Sequence, residues 1–335
     1  MIRPRLLADD LTGALDSAAR FVPLTGAVTV MLTAADVPGP AAIDAGTREQ
    51  PRDAARAAVA RLAPLMTSGD LAFKKIDSLL RGHVAVELAA CMPHFDHCVL
   101  APAFPFQGRI TRNGRQLVRD GGGWRDTGVD LAAALRAAGV AVRVRDAETD
   151  ADLDAIVAEG RRLPGRVLWC GTGGLAGALA VRLAVPCPAL PRPILALIGS
   201  DHPVSAAQLA AVTARHRRLP DETLEIARLL TGGAAAVTVT VPPGTRRKAA
   251  CRVIVARFVA LLGEVERPGT LVIAGGETLR RLCDALGVTR LEVDGEIEPG
   301  APTSLLRGGV WDGQRIVSKS GAFGAADFLA RLFGV

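Results

Sequence analysis

Two adjacent carboxylates, Asp9 and Asp10, stand where a short apolar run, Arg5–Ala8, gives way to Leu11-Thr12-Gly13. Acidic residues at the carboxyl end of a strand are not needed for packing. There they can orient a hydroxyl group and accept its proton. Capping of the following helix by Asp10 or Thr12 is the simpler reading of the same residues, and Asp16 is favoured in the first turns by the helix dipole. A second cluster is Lys74-Lys75-Ile76-Asp77-Ser78-Leu79-Leu80-Arg81-Gly82. Strand alternation leaves Lys75 and Asp77 on one side as the strand runs out. With a lysine nearby, Asp77 stays ionised near neutral pH and can act on a hydroxyl; a surface ion pair is the plainer alternative. A third cluster, Ala101–Thr111, carries a strand into a Pro/Gly-rich loop with one guanidinium, Arg109, of the kind that holds both oxygens of a carboxylate. A fourth, Asp44-Ala45-Gly46-Thr47-Arg48, also follows a short apolar stretch.

The second half repeats the theme with glycine. Leu271–Ala274 reads as a strand, followed by Gly275 and Gly276 and then by Glu277 and Thr278 at a polar helix start. Backbone N–H groups at such a start attract phosphate, and glycine allows close approach. Ile198-Gly199-Ser200-Asp201-His202 and Ser318-Lys319-Ser320-Gly321 are two further strand ends of this kind. Of forty basic residues only four are lysines, Lys74, Lys75, Lys248 and Lys319, so a lysine inside a glycine-bearing turn stands out as a point charge for a single oxygen. Three such turns together suggest a nucleotide pocket. None is a Walker A sequence or a dinucleotide fingerprint.

The elements that must position these residues alternate. Strands are expected at Arg5–Ala8, Ala27–Thr33, Leu71–Ile76, Cys98–Ala101, Val140–Arg145 and Arg166–Cys170, with helices between them at Gly13–Phe21, Asp53–Met66, His83–Cys91, Asp130–Ala138 and Ala151–Leu163, and a last one at Leu175–Leu183. Four prolines within residues 186–193 favour an extended linker. Beyond it, strands fit Ile194–Ile198, Ala236–Val241, Thr270–Ala274, Arg290–Val293, Gly309–Trp311 and Arg315–Lys319. Helices fit from Val204, at Arg247–Leu262, at Thr278–Leu286 and from Ala325. The expectation is an α/β protein of two domains, residues 1–185 and 194–335, each a mostly parallel sheet flanked by helices, with the ligand site in the cleft between them.

Composition narrows the chemistry. At 335 residues the chain is long enough for two domains. No stretch approaches the ~20 uninterrupted apolar residues of a membrane span, and the opening MIRPRLLADD reads as a strand rather than a leader, so a cytoplasmic protein without a membrane partner is expected. The six cysteines are scattered, without metal-ligand spacing. A net charge of +6 calls for an anionic partner, but 4% aromatics and no tyrosine leave little to stack bases on, which disfavours nucleic acid. A basic pocket for phosphates and carboxylates accounts for the sign equally well.

Taken in order, ADDLTGALD (8–16), KIDSLLRG (75–82), APAFPFQGRITRNG (101–114), GGET (275–278), EIEPGAP (296–302) and SKSGAFG (318–324) resemble the four-carbon acid sugar kinase family. The resemblance spans almost the whole chain. It implies an N-terminal domain that binds the acid sugar, a C-terminal domain that binds ATP, and phosphorylation of threonate, erythronate or 3-oxo-tetronate. Carried onto this chain it implies a substrate site of Asp9, Asp10, Arg48, Lys75, Asp77, Arg81 and Arg109, and a nucleotide site of Ser200, Gly275, Gly276, Glu277, Thr278 and Gly321; the residue pattern itself adds Ser78 to the first and Lys319 to the second. Glu277 is the expected ligand to a Mg²⁺ carried by ATP. Asp10 and Asp77 both remain candidates for the base, with Lys75 or Lys319 neutralising the transferring group. The chain departs from the family in its shorter length, in Leu79 where Thr is usual, in the glycine-rich rewriting of Leu117–Leu131, and in Asp201-His202 after Ser200. A kinase for another small hydroxy acid and a non-catalytic sensor are the alternative readings. A nicotinamide dehydrogenase is disfavoured because Asp9 and Asp10 occupy the place of the glycine fingerprint. Either a monomer or a homodimer fits the sequence.

Overall fold

The structure, a computed structural model, describes residues 2–33, 37–220 and 222–335. Internal contacts divide the chain into two compact units, Met1–Val185 and Pro186–Val335.

In the first unit the elements run β1 (Pro4–Ala8), α1 (Leu11–Thr25), β2 (Val28–Met31), β3 (Ala41–Asp44), α2 (Arg52–Leu62), β4 (Leu71–Lys75), α3 (Val84–Cys91) and β5 (His97–Ala101). A hairpin layer of β6 (Arg109–Arg112), β7 (Arg115–Asp120) and β8 (Gly123–Asp126) follows. The unit then closes with α4 (Leu131–Ala137), α5 (Asp150–Gly160), β9 (Val167–Gly171) and α6 (Gly173–Leu179). Six strands form a parallel sheet in the order β2-β3-β1-β4-β9-β5. Every residue of β1 is buried, as expected of a strand covered on both faces. On one face Val59 and Leu62 of α2, Leu88 of α3 and Leu135 of α4 pack against Leu7, Ile43, Leu100 and Leu168 of the sheet. Elsewhere in the unit α6 packs against both α1 and α5. Because β1 lies between β3 and β4, the chain leaves it in opposite directions, which opens a crevice at the carboxyl ends of these three strands.

The second unit contains β10 (Ile194–Ile198), α7 (Pro203–Ala210), β11 (His216–Leu219), α8 (Thr223–Thr231), β12 (Ala234–Val239), α9 (Arg247–Glu264), β13 (Thr270–Ala274) and α10 (Gly276–Ala285). It ends with β14 (Arg290–Glu296), β15 (Pro302–Arg307), β16 (Arg315–Lys319) and α11 (Phe328–Phe333). Its strands follow the order β11-β12-β10-β13-β16-β15-β14, parallel as far as β16 and antiparallel beyond it. Phe328 and Leu329 of α11 pack on Ala196, Ile198, Val272 and Val317 of the sheet. Here the switch lies between β10 and β13.

Two expected strands are corrected. Val140–Arg145 forms only a single bridge, Val144 to Leu100, because Ala141 and Arg143 face solvent and cannot continue a buried ladder. Residues 309–311 lie outside any strand, with Gly309 at φ 67; the strand that pairs with both β14 and β16 is β15, before it. Helix α8, strands β3 and β11 and the β6–β8 hairpins were not anticipated. The proline-rich stretch belongs to the second unit. Pro186 O accepts from Glu296 N at 2.9 Å and Pro191 O from Thr270 Oγ1 at 2.7 Å, which tethers the extended segment to the sheet. Cys91, Cys170, Cys251 and Cys283 are buried, whereas Cys187 is exposed. Among the described residues no helix is long and apolar enough to cross a membrane.

Candidate active site

At the first switch point the loops after β1, β3 and β4 bring Asp9, Asp10, Arg48, Asp77 and Arg81 together. Arg48 enters from the loop after β3. Its Nε donates to Asp9 Oδ2 at 2.8 Å, and its Nη2 reaches Asp9 Oδ1 at 2.9 Å and Asp10 Oδ1 at 2.8 Å. Its Nη1 closes the second fork on Asp10 Oδ2. One guanidinium thus bridges two neighbouring carboxylates, and it lies 3.7 Å from Asp77 as well. Asp10 has a second task as the N-cap of α1, accepting from Gly13 N at 2.9 Å. The capping and chemical readings of Asp10 therefore hold together. A Cβ on Gly13 would stand 2.9 Å from Lys75 Nζ, so glycine lets that ammonium lie against the helix start, where it donates to Ile76 O at 2.9 Å.

The carboxylates differ. Burial pushes Asp9 up, but Arg48's charge and hydrogen bonds outweigh it and hold Asp9 below the ordinary carboxylate value. Burial also pushes Asp10 up, and with Asp9's charge beside it the group stays above its ordinary value despite Arg48. Asp77 is buried too, yet Arg81 and Arg48 hold it well below the carboxylate range. Asp77 accepts from Leu79 N at 3.1 Å, from Arg81 N at 3.2 Å and from Arg81 Nε at 2.9 Å on one oxygen, and from Arg81 Nη2 at 2.6 Å on the other. Arg81 keeps a half-exposed side chain. Arg109, at the start of β6, donates to Gln107 Oε1 at 3.0 Å and is held below its ordinary value by burial and by the charge of Arg81. Ser78 is buried in the turn between Asp77 and Arg81.

One residue in this region was not signalled by the sequence. Gln116, buried on β7, donates to Ser78 O at 2.9 Å and Pro102 O at 3.1 Å and accepts from Thr111 Oγ1 at 2.8 Å. It ties the hairpin layer to the loops after β4 and β5. A lone glutamine on an unrecognised strand carries no signal that sequence reading could have used.

In the second unit the turns after β10, β13 and β16 converge. A Cβ on Gly199 would fall 2.2 Å from Thr278 Oγ1, and one on Gly321 would fall 1.8 Å from Ser200 Oγ. Ser205 Oγ donates to Gly321 O at 2.9 Å. Gly275, at φ 117, caps α10, whose first amides lie outside the helical ladder beside these glycines. His202 caps α7, its Nδ1 accepting from Val204 N at 3.2 Å. Glu277 is paired with Arg281 at 2.9 Å. Lys319 is 1% exposed, its Nζ has no hydrogen-bond partner, and it lies 5.9 Å from the Phe328 ring. Burial lowers its pKa to about 8, against the opposing charge of Glu298. Among the described residues no three His, Cys, Asp or Glu side chains are grouped to hold a metal ion. A Mg²⁺ carried by a nucleotide takes most of its ligands from phosphate and water, so the Glu277 carboxylate alone is compatible with it.

Two domain families match this chain. Residues 5–130 match a sugar-binding N-terminal domain family, and residues 239–329 match a nucleotide-binding C-terminal domain family. A D-threonate kinase from Cupriavidus necator is 31% identical over 96% of this chain and 94% of its own. A 3-oxo-tetronate kinase from Pseudomonas fluorescens is 28% identical over 60% of this chain and 54% of its own. A solved structure from Salmonella typhimurium, described as a putative tRNA synthase, superposes with a TM-score of 0.74 at 20% identity over 99% of both chains, a likeness of fold. With a 31% identical relative matched over nearly its whole length and both domain models in order, the chain belongs to the four-carbon acid sugar kinase family, phosphotransferases with an alcohol group as acceptor.

Proposed function

We propose that this protein is an ATP-dependent kinase that phosphorylates a hydroxyl of a four-carbon sugar acid of the threonate, erythronate or 3-oxo-tetronate type. The observation that carries the reading is the Asp9–Arg48–Asp10 bridge beside the Asp77–Arg81 pair at a topological switch point. Arg81 is paired with Asp77, and its charge disfavours that of Arg109 nearby. A substrate carboxylate between them relieves that repulsion and is held by two forks. Asp77, already saturated with donors, orients Arg81, which leaves Asp10 as the better base for the acceptor hydroxyl. Asp9 and Arg48 set the orientation of Asp10, and Lys75 offsets the charge that develops on the transferring group. Ser78 lines the same turn.

In the second unit Ser200, Gly275, Gly276, Thr278 and Gly321 form the phosphate cradle through backbone amides and hydroxyls. Lys319, a buried ammonium without an acceptor, supplies the charge that a polyphosphate would satisfy. Glu277 is the residue available to a nucleotide-borne Mg²⁺, which when bound neutralises phosphate oxygens. Phosphoryl transfer depends mainly on positioning and charge of this kind.

The test is ADP release from ATP and Mg²⁺ across D- and L-threonate, erythronate, their 3-oxo forms and glycerate. Turnover of one four-carbon acid over its epimers supports the proposal and identifies the substrate. Turnover of glycerate alone moves the reading to a kinase for another hydroxy acid. ATP binding without turnover of any acid moves it to a sensor.

A further inference from the structure

We infer that Glu87, on α3 beneath the acid site, is a positioning residue that fixes the Arg48 guanidinium across Asp9 and Asp10. The inference rests on Arg48 belonging to that site. Glu87 and Lys74 are among the most deeply buried charges in the chain, with side chains 1% and 0% exposed. Lys74 Nζ lies 2.6 Å from Glu87 Oε2, and the other oxygen, Oε1, accepts from Thr47 Oγ1 at 2.6 Å. Both oxygens are therefore engaged from different directions, and the carboxylate has one orientation. Lys74 Nζ also donates to Lys75 O at 3.2 Å, at the end of the strand that leads to Asp77.

Thr47 immediately precedes Arg48. Its backbone N donates to Asp9 O at 2.9 Å, and Arg48 N to the same carbonyl at 3.2 Å. The loop after β3 is thus pinned twice, by its backbone to the loop after β1 and by the Thr47 hydroxyl to Glu87. These anchors set where the Arg48 side chain begins, and its two forks leave little tolerance for a shift. Stability alone does not account for the pair, because apolar side chains of similar volume commonly replace a buried ion pair without loss. What an apolar pair lacks is an acceptor aimed at Thr47.

A series of variants tests this. Thr47→Val keeps shape and removes the hydroxyl, Thr47→Ser restores it, and the double variant Lys74→Met/Glu87→Leu removes both charges together. We expect Thr47→Val and the double variant to lower kcat/KM for the acid by ~10-fold or more while leaving the KM for ATP within about twofold; a displacement of about 1 Å can cost still more. Thr47→Ser should recover most of the activity. The triple variant Thr47→Val/Lys74→Met/Glu87→Leu, which also removes the hydroxyl that the double variant leaves without an acceptor, should keep or raise its melting temperature, which separates positioning from folding. Crystal structures of Thr47→Val and the double variant give a readout that needs no substrate: the guanidinium should leave its two-carboxylate bridge. An unmoved Arg48 with wild-type kinetics in the double variant overturns the inference. Arg48→Met is the control for the underlying reading. If it leaves acid turnover intact, Arg48 is not part of the acid site; if it abolishes turnover while the double variant is unaffected, only the role of Glu87 fails.

Discussion

Arg81 donates to both carboxylate oxygens of Asp77, from Nε at 2.9 Å and from Nη2 at 2.6 Å, across one turn of chain. Two backbone amides complete the shell of Asp77. A carboxylate held this way is a poor proton acceptor. Its neighbour Asp10, which burial and Asp9 push above the ordinary value, is a better one.

The two candidates for the base should therefore separate kinetically. Asp10→Asn should lower kcat by ~10²–10⁴-fold, the usual contribution of a positioned base. Asp77→Asn should act mainly on the KM for the acid by releasing Arg81. Steady-state kinetics of both variants check this, and an unchanged kcat in Asp10→Asn would remove it from the role.

The pH profile should carry the same signature. As the base, Asp10 would work ionised, so kcat/KM should fall as pH drops through its raised pKa, with an acid limb above the ordinary aspartate value. Asp9→Asn removes the neighbouring negative charge, and the limb should move to lower pH. Asp77 adds a stability effect of its own: its folded pKa is depressed, so its contribution is present above the ordinary value of 3.8 and is lost as pH falls below it.

Lys319 makes the opposite case. Its pKa of about 8 lies below the ordinary 10.5, so the unfolded chain binds the proton more tightly, and stability rises with pH between these values. Below pH 8 the buried charge costs the ligand-free protein ~3 kcal/mol. Lys319→Met should raise the melting temperature at pH 7 and weaken ATP binding by ~10-fold or more. Wild-type affinity for ATP should itself decline as pH rises through 8. Thermal scans and calorimetry at pH 7 and 9 measure both effects.

The glycine turns give a steric prediction. Gly199→Ala places a methyl 2.2 Å from Thr278 Oγ1, on a short side chain that is itself buried. The turn must shift, at a cost of ~1–3 kcal/mol, and ATP affinity should fall with it. Gly263→Ala, on α9 where a Cβ meets nothing within 4 Å, is the control and should be neutral or slightly stabilising. Melting temperatures and calorimetric titrations distinguish the two.

Local chemistry was legible in the sequence because it depends on neighbours along the chain. Strand ends rich in Asp, Lys and Gly, the cap at Asp10, the proline-rich stretch before Ile194 and the alternation of strands and helices could all be read from spacing. Weak local patterns were lost: the basic His216-Arg217-Arg218 run conceals β11, and the glycine-rich residues 121–123 conceal the turn into β8. Tertiary structure alone decided the rest. The order β3-β1-β4 brings Arg48 onto Asp9 and Asp10 across 38 or 39 positions of sequence, and Glu87 onto Thr47 across 40. The same holds for Lys319, which a glycine-bearing strand end marks as a phosphate contact and whose Nζ packing buries without a hydrogen-bond partner. Propensity and capping act over a turn or two of chain, whereas ion-pair choice and burial depend on which strands become neighbours, and that is settled only when the sheets assemble.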